Sequence, residues 1–112
     1  MNKLPDEFVQ QLVENFEEAG KARAMAKARL RGLEEDRKIL KAQLMKVAEA
    51  QGTTSITRQE AFAYSHQQYT RLRDNLVEAV EEESLRDYEC RLCEIKFEAW
   101  RSINANERQA SR

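Results

Sequence analysis

Cys90-Arg91-Leu92-Cys93 is the stretch whose residue types and spacing best suggest bond-making chemistry. A C-x-x-C on a helix places two thiols on one side, as half of a zinc site or a redox pair requires. There is no second C-x-x-C to complete the four ligands, unless another chain supplies it, and redox pairs normally sit where a strand meets a helix. Both thiols fall on an apolar period that continues to Phe97. They therefore read as small buried hydrophobes, and no metal and no cofactor is expected. His66 is the sole histidine. It stands beside a helix start and is expected to be exposed rather than catalytic. Carboxylates are abundant, but on solvated helix faces. No Gly-rich phosphate loop, Ser nucleophile elbow or H-E-x-x-H is present. No catalytic residue is assigned, no small-molecule substrate is implied, and an enzyme is not expected.

The other chemistry is that of binding. Residues 21–46 carry nine basic side chains against three acidic ones, a local net of +6, and residues 78–98 carry eight acidic against three basic, a local net of −5. In an antiparallel hairpin the two blocks would lie largely alongside one another and set its register, most such exposed pairs contributing under about 1 kcal/mol each. Alternatively Lys27, Arg29 and Arg31 follow a phosphate backbone. Trp100 with Arg101 and Arg108 would then stack on a base and hold single-strand phosphates, although a tryptophan here more often anchors a core. The acidic face at 78–98 offers a third use, inhibition of a nucleic-acid enzyme.

These side chains are positioned by two long helices. From Val9 the residues Leu12, Phe16, Ala19, Arg23, Ala26, Leu30, Leu33, Arg37, Leu40, Leu44 and Val47 alternate by three and four, a heptad seam. Leu4-Pro5-Asp6-Glu7 reads as its start and Gly52 as its stop, giving helix one over about 5–51. Gly20 and Gly32 lie off the seam. Thr57-Arg58-Gln59-Glu60 reads as a capping box for a short helix over about 58–64. Ser65-His66-Gln67-Gln68 repeats the form and predicts a kink. Helix two follows over about 66–107, with Tyr69, Leu72, Leu76, Ala79, Glu83, Arg86, Cys90, Cys93, Phe97 and Trp100 on its seam, and Ala110-Ser111-Arg112 as a fraying tail. Each long helix would measure roughly 65 Å at about 1.5 Å per residue. The fold class is all-α: a long antiparallel, coiled-coil-like hairpin with a short connecting helix, treated as one domain over 1–112. Arg23 and Arg37 need a carboxylate or a route to solvent, and Glu83 or Glu94 could answer Arg23. Such seam charges usually specify pairing more than they stabilise.

The apolar supply is uneven. Leu85, Tyr88, Leu92, Ile95 and Ala99 form a second stripe nearly opposite the seam, and Phe8 and Val13 widen helix one at the same end. One partner helix cannot cover both faces. A homo-oligomer is therefore expected, most simply a dimeric four-helix bundle, with Phe8, Leu12, Phe16, Tyr88, Leu92, Ile95, Phe97 and Trp100 at its interface.

The bulk numbers agree. The chain has 112 residues, 35% charged and 41% hydrophobic, with three glycines, one proline and a formal net charge of −1. That excludes a turn-rich β fold, a uniformly basic nucleic-acid coat and a uniformly acidic mimic. No apolar run is long enough for a membrane span, and no secretory leader is visible, so a soluble, reducing, intracellular setting is expected.

Glu34-Glu35-Asp36-Arg37 to Leu44, Gln59-Glu60 to Ala63-Tyr64, and Trp100-Arg101-Ser102 to Ala105-Asn106 together resemble small helical proteins encoded by tailed phages and prophages. Members often carry Asp-Pro where this chain has Ser65-His66. The resemblance implies a phage origin and a bacterial host cytoplasm, with no established activity and no transferred site residues. The expected function is binding of a host or phage protein by a self-associating hairpin. The alternative is an accessory nucleic-acid-binding role in phage recombination or replication.

Overall fold

The computed structural model describes residues 6–110, so the helix start read at Leu4-Pro5 and the tail at Ser111-Arg112 lie outside the described residues. The fold is an all-α hairpin of three helices: α1 (Asp6–Ala50), α2 (Ile56–Ser65) and α3 (Gln67–Ala110). Its contacts divide into unit 1, built from residues up to 25 and from 83 onward, and unit 2, residues 26–82.

In unit 1, α1 and α3 are held side by side by the expected seams. Ala19 and Cys90 are buried, and Val9, Leu12, Phe16, Cys93, Phe97 and Trp100 are half-buried. Asn15, Glu18, Ala19 and Ala22 of α1 share a shallow groove with Arg86, Glu89, Leu92 and Cys93 of α3.

In unit 2, Ala26, Leu44, Ala48, Leu76 and Ala79 are buried, and α2 adds Ala63 and Gln59. Asp36, Ile39, Leu40 and Gln43 line a groove with Gln68, Arg71, Leu72 and Asn75. The buried side chains are mostly alanines, and no large side chain among the described residues is fully enclosed. Small residues let two helix backbones approach closely, so the core is shallow.

The turn between α1 and α2 follows from Gly52. It adopts φ 99°, a conformation that favours glycine. Thr53 N then donates to Ala48 O at 3.0 Å and Gly52 N to Glu49 O at 3.0 Å, the paired bonds of a Schellman motif. Gln59 locks this turn: its Nε2 donates to Thr53 O at 2.8 Å.

The short helix begins earlier than its expected 58–64. Ser55, not Thr57, is the N-cap, with its side chain accepting from Arg58 N. A capping box at Thr57 would have opened the helix two residues later; the Ser55 hydroxyl takes the Arg58 N–H first and starts it at Ile56. The kink falls at His66, with φ −70° and ψ 139°. Ser65 Oγ donates back to Ala61 O at 2.9 Å, ending α2. His66 Nδ1 accepts from Gln68 N at 3.1 Å and His66 O accepts from Thr70 N at 3.1 Å, starting α3. His66 is half-buried against Phe62, their ring centroids 5.8 Å apart, rather than exposed.

Candidate interaction surfaces

Unit 1 contains two half-buried seam arginines, Arg23 on α1 and Arg86 on α3. Arg23 Nη2 meets Asp87 Oδ1 at 3.0 Å, and Asp87 Oδ2 also takes Arg91 Nε at 3.1 Å. The expected partners were Glu83 and Glu94. Asp87 takes the role because the packing sets residue 23 beside residue 87, a register that heptad spacing alone leaves free by whole turns. Arg23 Nε is buried with no hydrogen-bond partner. Arg37 points to solvent instead. On the α3 seam, Arg86 Nη1 lies 2.9 Å from both oxygens of Glu89.

The charge blocks meet over only part of their length. In unit 2 the segment from Asp36 to Gln43 lies beside Gln68 to Asn75, where Arg71 is the neighbour. The upper half of the basic block therefore does not face the acidic block. The expectation that the blocks lie largely alongside one another is corrected to the stretch around Arg23 and Asp87.

The outer stripe of α3 is exposed: Leu85 49%, Tyr88 62%, Leu92 37% and Ile95 65%. Phe8 and Val13 of α1 are exposed as well, as is Ile103 of α3. The expected interface residues thus fall into two groups within unit 1. Leu12, Phe16, Phe97 and Trp100 are half-buried on the seam side, the last two with ring centroids 5.6 Å apart. Phe8, Tyr88, Leu92 and Ile95 present the exposed face.

The candidate nucleic-acid contacts divide between the units. Arg29 and Arg31 are exposed and Lys27 is half-buried, all in unit 2. Arg101 and Arg108, in unit 1, line a groove with Trp100, Ser102 and Asn104, and Arg101 Nη1 is bonded to Glu98 Oε1 at 3.1 Å.

Cys90 is buried and Cys93 half-buried, both as free thiols. No cluster of three or more His, Cys, Asp or Glu side chains suited to a metal occurs among the described residues. No helix among them is long and apolar enough to cross a membrane.

Spacing did not point to the elbow in unit 2. Lys41 Nζ sits 5.0 Å from the centroid of the Tyr64 ring, and Tyr64 packs edge-on to Tyr69 at 5.3 Å. The side-chain hydrogen bond to Tyr64 is the main cause that raises the Lys41 ammonium above its ordinary 10.5, with desolvation opposing it and Tyr64, Glu60 and Tyr69 adding charge attraction. Lys41 lies on α1 and the two tyrosines on α2 and α3, so only tertiary proximity reveals the cluster.

No family model matches the chain, and neither a curated protein nor a solved structure matches it.

Proposed function

We propose that this protein is a non-enzymatic interaction module that binds another protein through a hairpin that self-associates by the apolar face of unit 1. The exposed stripe Leu85, Tyr88, Leu92 and Ile95 carries the reading. Four large apolar side chains repeat by three and four on the face of α3 opposite its seam, and a contiguous patch of this kind marks an interaction surface. The ion pairs fit a binding role: Arg23–Asp87 joins α1 to α3, and the pairs at Lys38, Arg86, Arg91 and Arg101 run along one helix. The phage setting rests on the resemblance of residues 34–44, 59–64 and 100–106, and the partner is then a host or phage protein.

Sedimentation equilibrium tests the self-association. The wild type should run as a dimer at micromolar concentration, and Ile95→Glu should run as a monomer with unchanged helix content. A monomeric wild type at tens of micromolar removes self-association from the reading. Affinity purification from an infected host, with Tyr88→Glu as the control bait, tests the partner. A protein captured by both baits alike would bind without the self-associated form, against the reading.

One observation favours a second reading, an accessory nucleic-acid-binding role. The groove of Trp100, Arg101 and Arg108 joins an aromatic ring to two guanidinium groups, the combination that stacks on bases and holds phosphates. Single-stranded DNA should then bind with a salt-dependent affinity that Arg101→Glu and Arg108→Glu weaken. No shift at low salt removes this reading.

A further inference from the structure

We infer that the occupant of the outer α3 stripe is the same stripe of a second copy, running antiparallel in a single register; this rests on the self-association just proposed. Leu85, Tyr88, Leu92, Ile95 and Ala99 form a heptad seam of their own, flanked on one side by Glu89 and Lys96 and on the other by Arg91 and Glu98. These flanks decide among the ways two such helices can pair, because charges beside a coiled-coil seam set orientation and register.

A parallel, in-register pair sets Arg91 of one chain against Lys96 of the other, and is repelled. One antiparallel register instead places Leu92 over Ile95 of the other copy and Tyr88 over Ala99. The large ring meets the small methyl, so the layers fill evenly. In that register Glu89 faces Lys96 on one flank and Arg91 faces Glu98 on the other, and two-fold symmetry repeats both pairs. Sliding by one heptad in one direction brings Glu89 and Arg91 each onto their own counterparts. Sliding the other way does the same to Lys96 and Glu98. The neighbouring registers are thus opposed by like charges while one is favoured four times over.

The side chains are free to make these contacts. Tyr88 and Ile95 are 62% and 65% exposed. Glu98 and Arg91 are exposed and held only along their own helix, to Arg101 and Asp87 at 3.1 Å each. A guanidinium has five donors and a carboxylate about four lone-pair sites, so these partners and a second chain can be served together. Glu89 keeps Arg86 on its seam side.

The test is sedimentation equilibrium of the full chain with charge reversals. Lys96→Glu places two glutamates together at two equivalent positions and should weaken the dimer roughly tenfold. Glu89→Lys combined with Lys96→Glu should restore most of that loss. Lys96 lies off the inner seam, and circular dichroism confirms that each variant stays helical. A dimer lost in Ile95→Glu but indifferent to Lys96→Glu would overturn the register and leave self-association standing. Failure of the double variant to recover would do the same. A monomeric wild type would overturn both.

Discussion

Replacing Asp87 by alanine and Arg23 by leucine should move stability in opposite directions. Asp87→Ala removes the carboxylate 3.0 Å from Arg23 Nη2 and 3.1 Å from Arg91 Nε, while Arg23 Nε is already buried without a partner. An unpaired buried charge would cost several kcal/mol, but the Arg23 side chain is 39% exposed and water reaches its end. The loss is therefore about 1–2 kcal/mol. Arg23→Leu instead deletes the orphaned Nε, completes the apolar seam between Ala19 and Ala26, and leaves Asp87 bonded to Arg91. It should stabilise by about 0.5–1 kcal/mol. For a chain of this size these values mean a melting temperature roughly 4–8 °C lower and 2–4 °C higher, respectively. In the Arg23→Leu background, Asp87→Ala should cost much less, a coupling of about 1 kcal/mol. Thermal unfolding followed by circular dichroism at one fixed protein concentration reads all four species. If Arg23→Leu proves as destabilising as Asp87→Ala, the pair is a net stabiliser and the argument that it serves mainly to set register fails.

Three other outcomes follow from local geometry. Gly20→Ala and Gly32→Ala should each stabilise by up to about 1 kcal/mol, since an added Cβ meets nothing within 4 Å, whereas Gly52→Ala should destabilise by about 1 kcal/mol because of its φ of 99°; chemical denaturation separates the signs. Gln59→Ala should cost about 1–2 kcal/mol through its lost 2.8 Å bond to Thr53 O, and hydrogen exchange at the turn should speed up. Lys41, raised above 10.5 mainly by Tyr64, contributes stability that is fully present below that value and is lost as pH rises through its higher folded value. Urea midpoints from pH 8 to 11.5 should therefore fall more in the wild type than in Lys41→Gln.

Most of the inner seam was legible in the spacing. On α1, Ala19, Ala26 and Leu44 are buried where the heptad places them, as Leu76, Ala79 and Cys90 are on α3. The reading slips at Val47, which is 44% exposed while Ala48 is fully buried. A straight helix drifts by about 20° per heptad from a strict seven-residue repeat, so by its last turn α1 presents the next residue to its neighbours. The partner of Arg23 was not legible, because a heptad pattern fixes which face is buried but not which turn of one helix meets which turn of the other. Gln59 escaped for a different reason. Its burial depends on the Thr53 carbonyl, six residues back across a turn, and a polar residue in a short helix carries no periodic sign of that. The outer stripe needed only angular position on one helix, so Tyr88 and Ile95 were found from spacing alone.

The alanine-lined interior also shapes how this chain tolerates change. With Ala48 and Ala63 at 0% exposure and no large side chain fully enclosed, there is little volume for truncation to remove. Saturation mutagenesis would find the opposite of the pattern set by a thick core. Enlargement of the small residues would be the damaging class, because each added methylene pushes two backbones apart, while shortening the half-buried leucines would be mild. Variation within the chain's descendants is therefore confined by steric room along the seam.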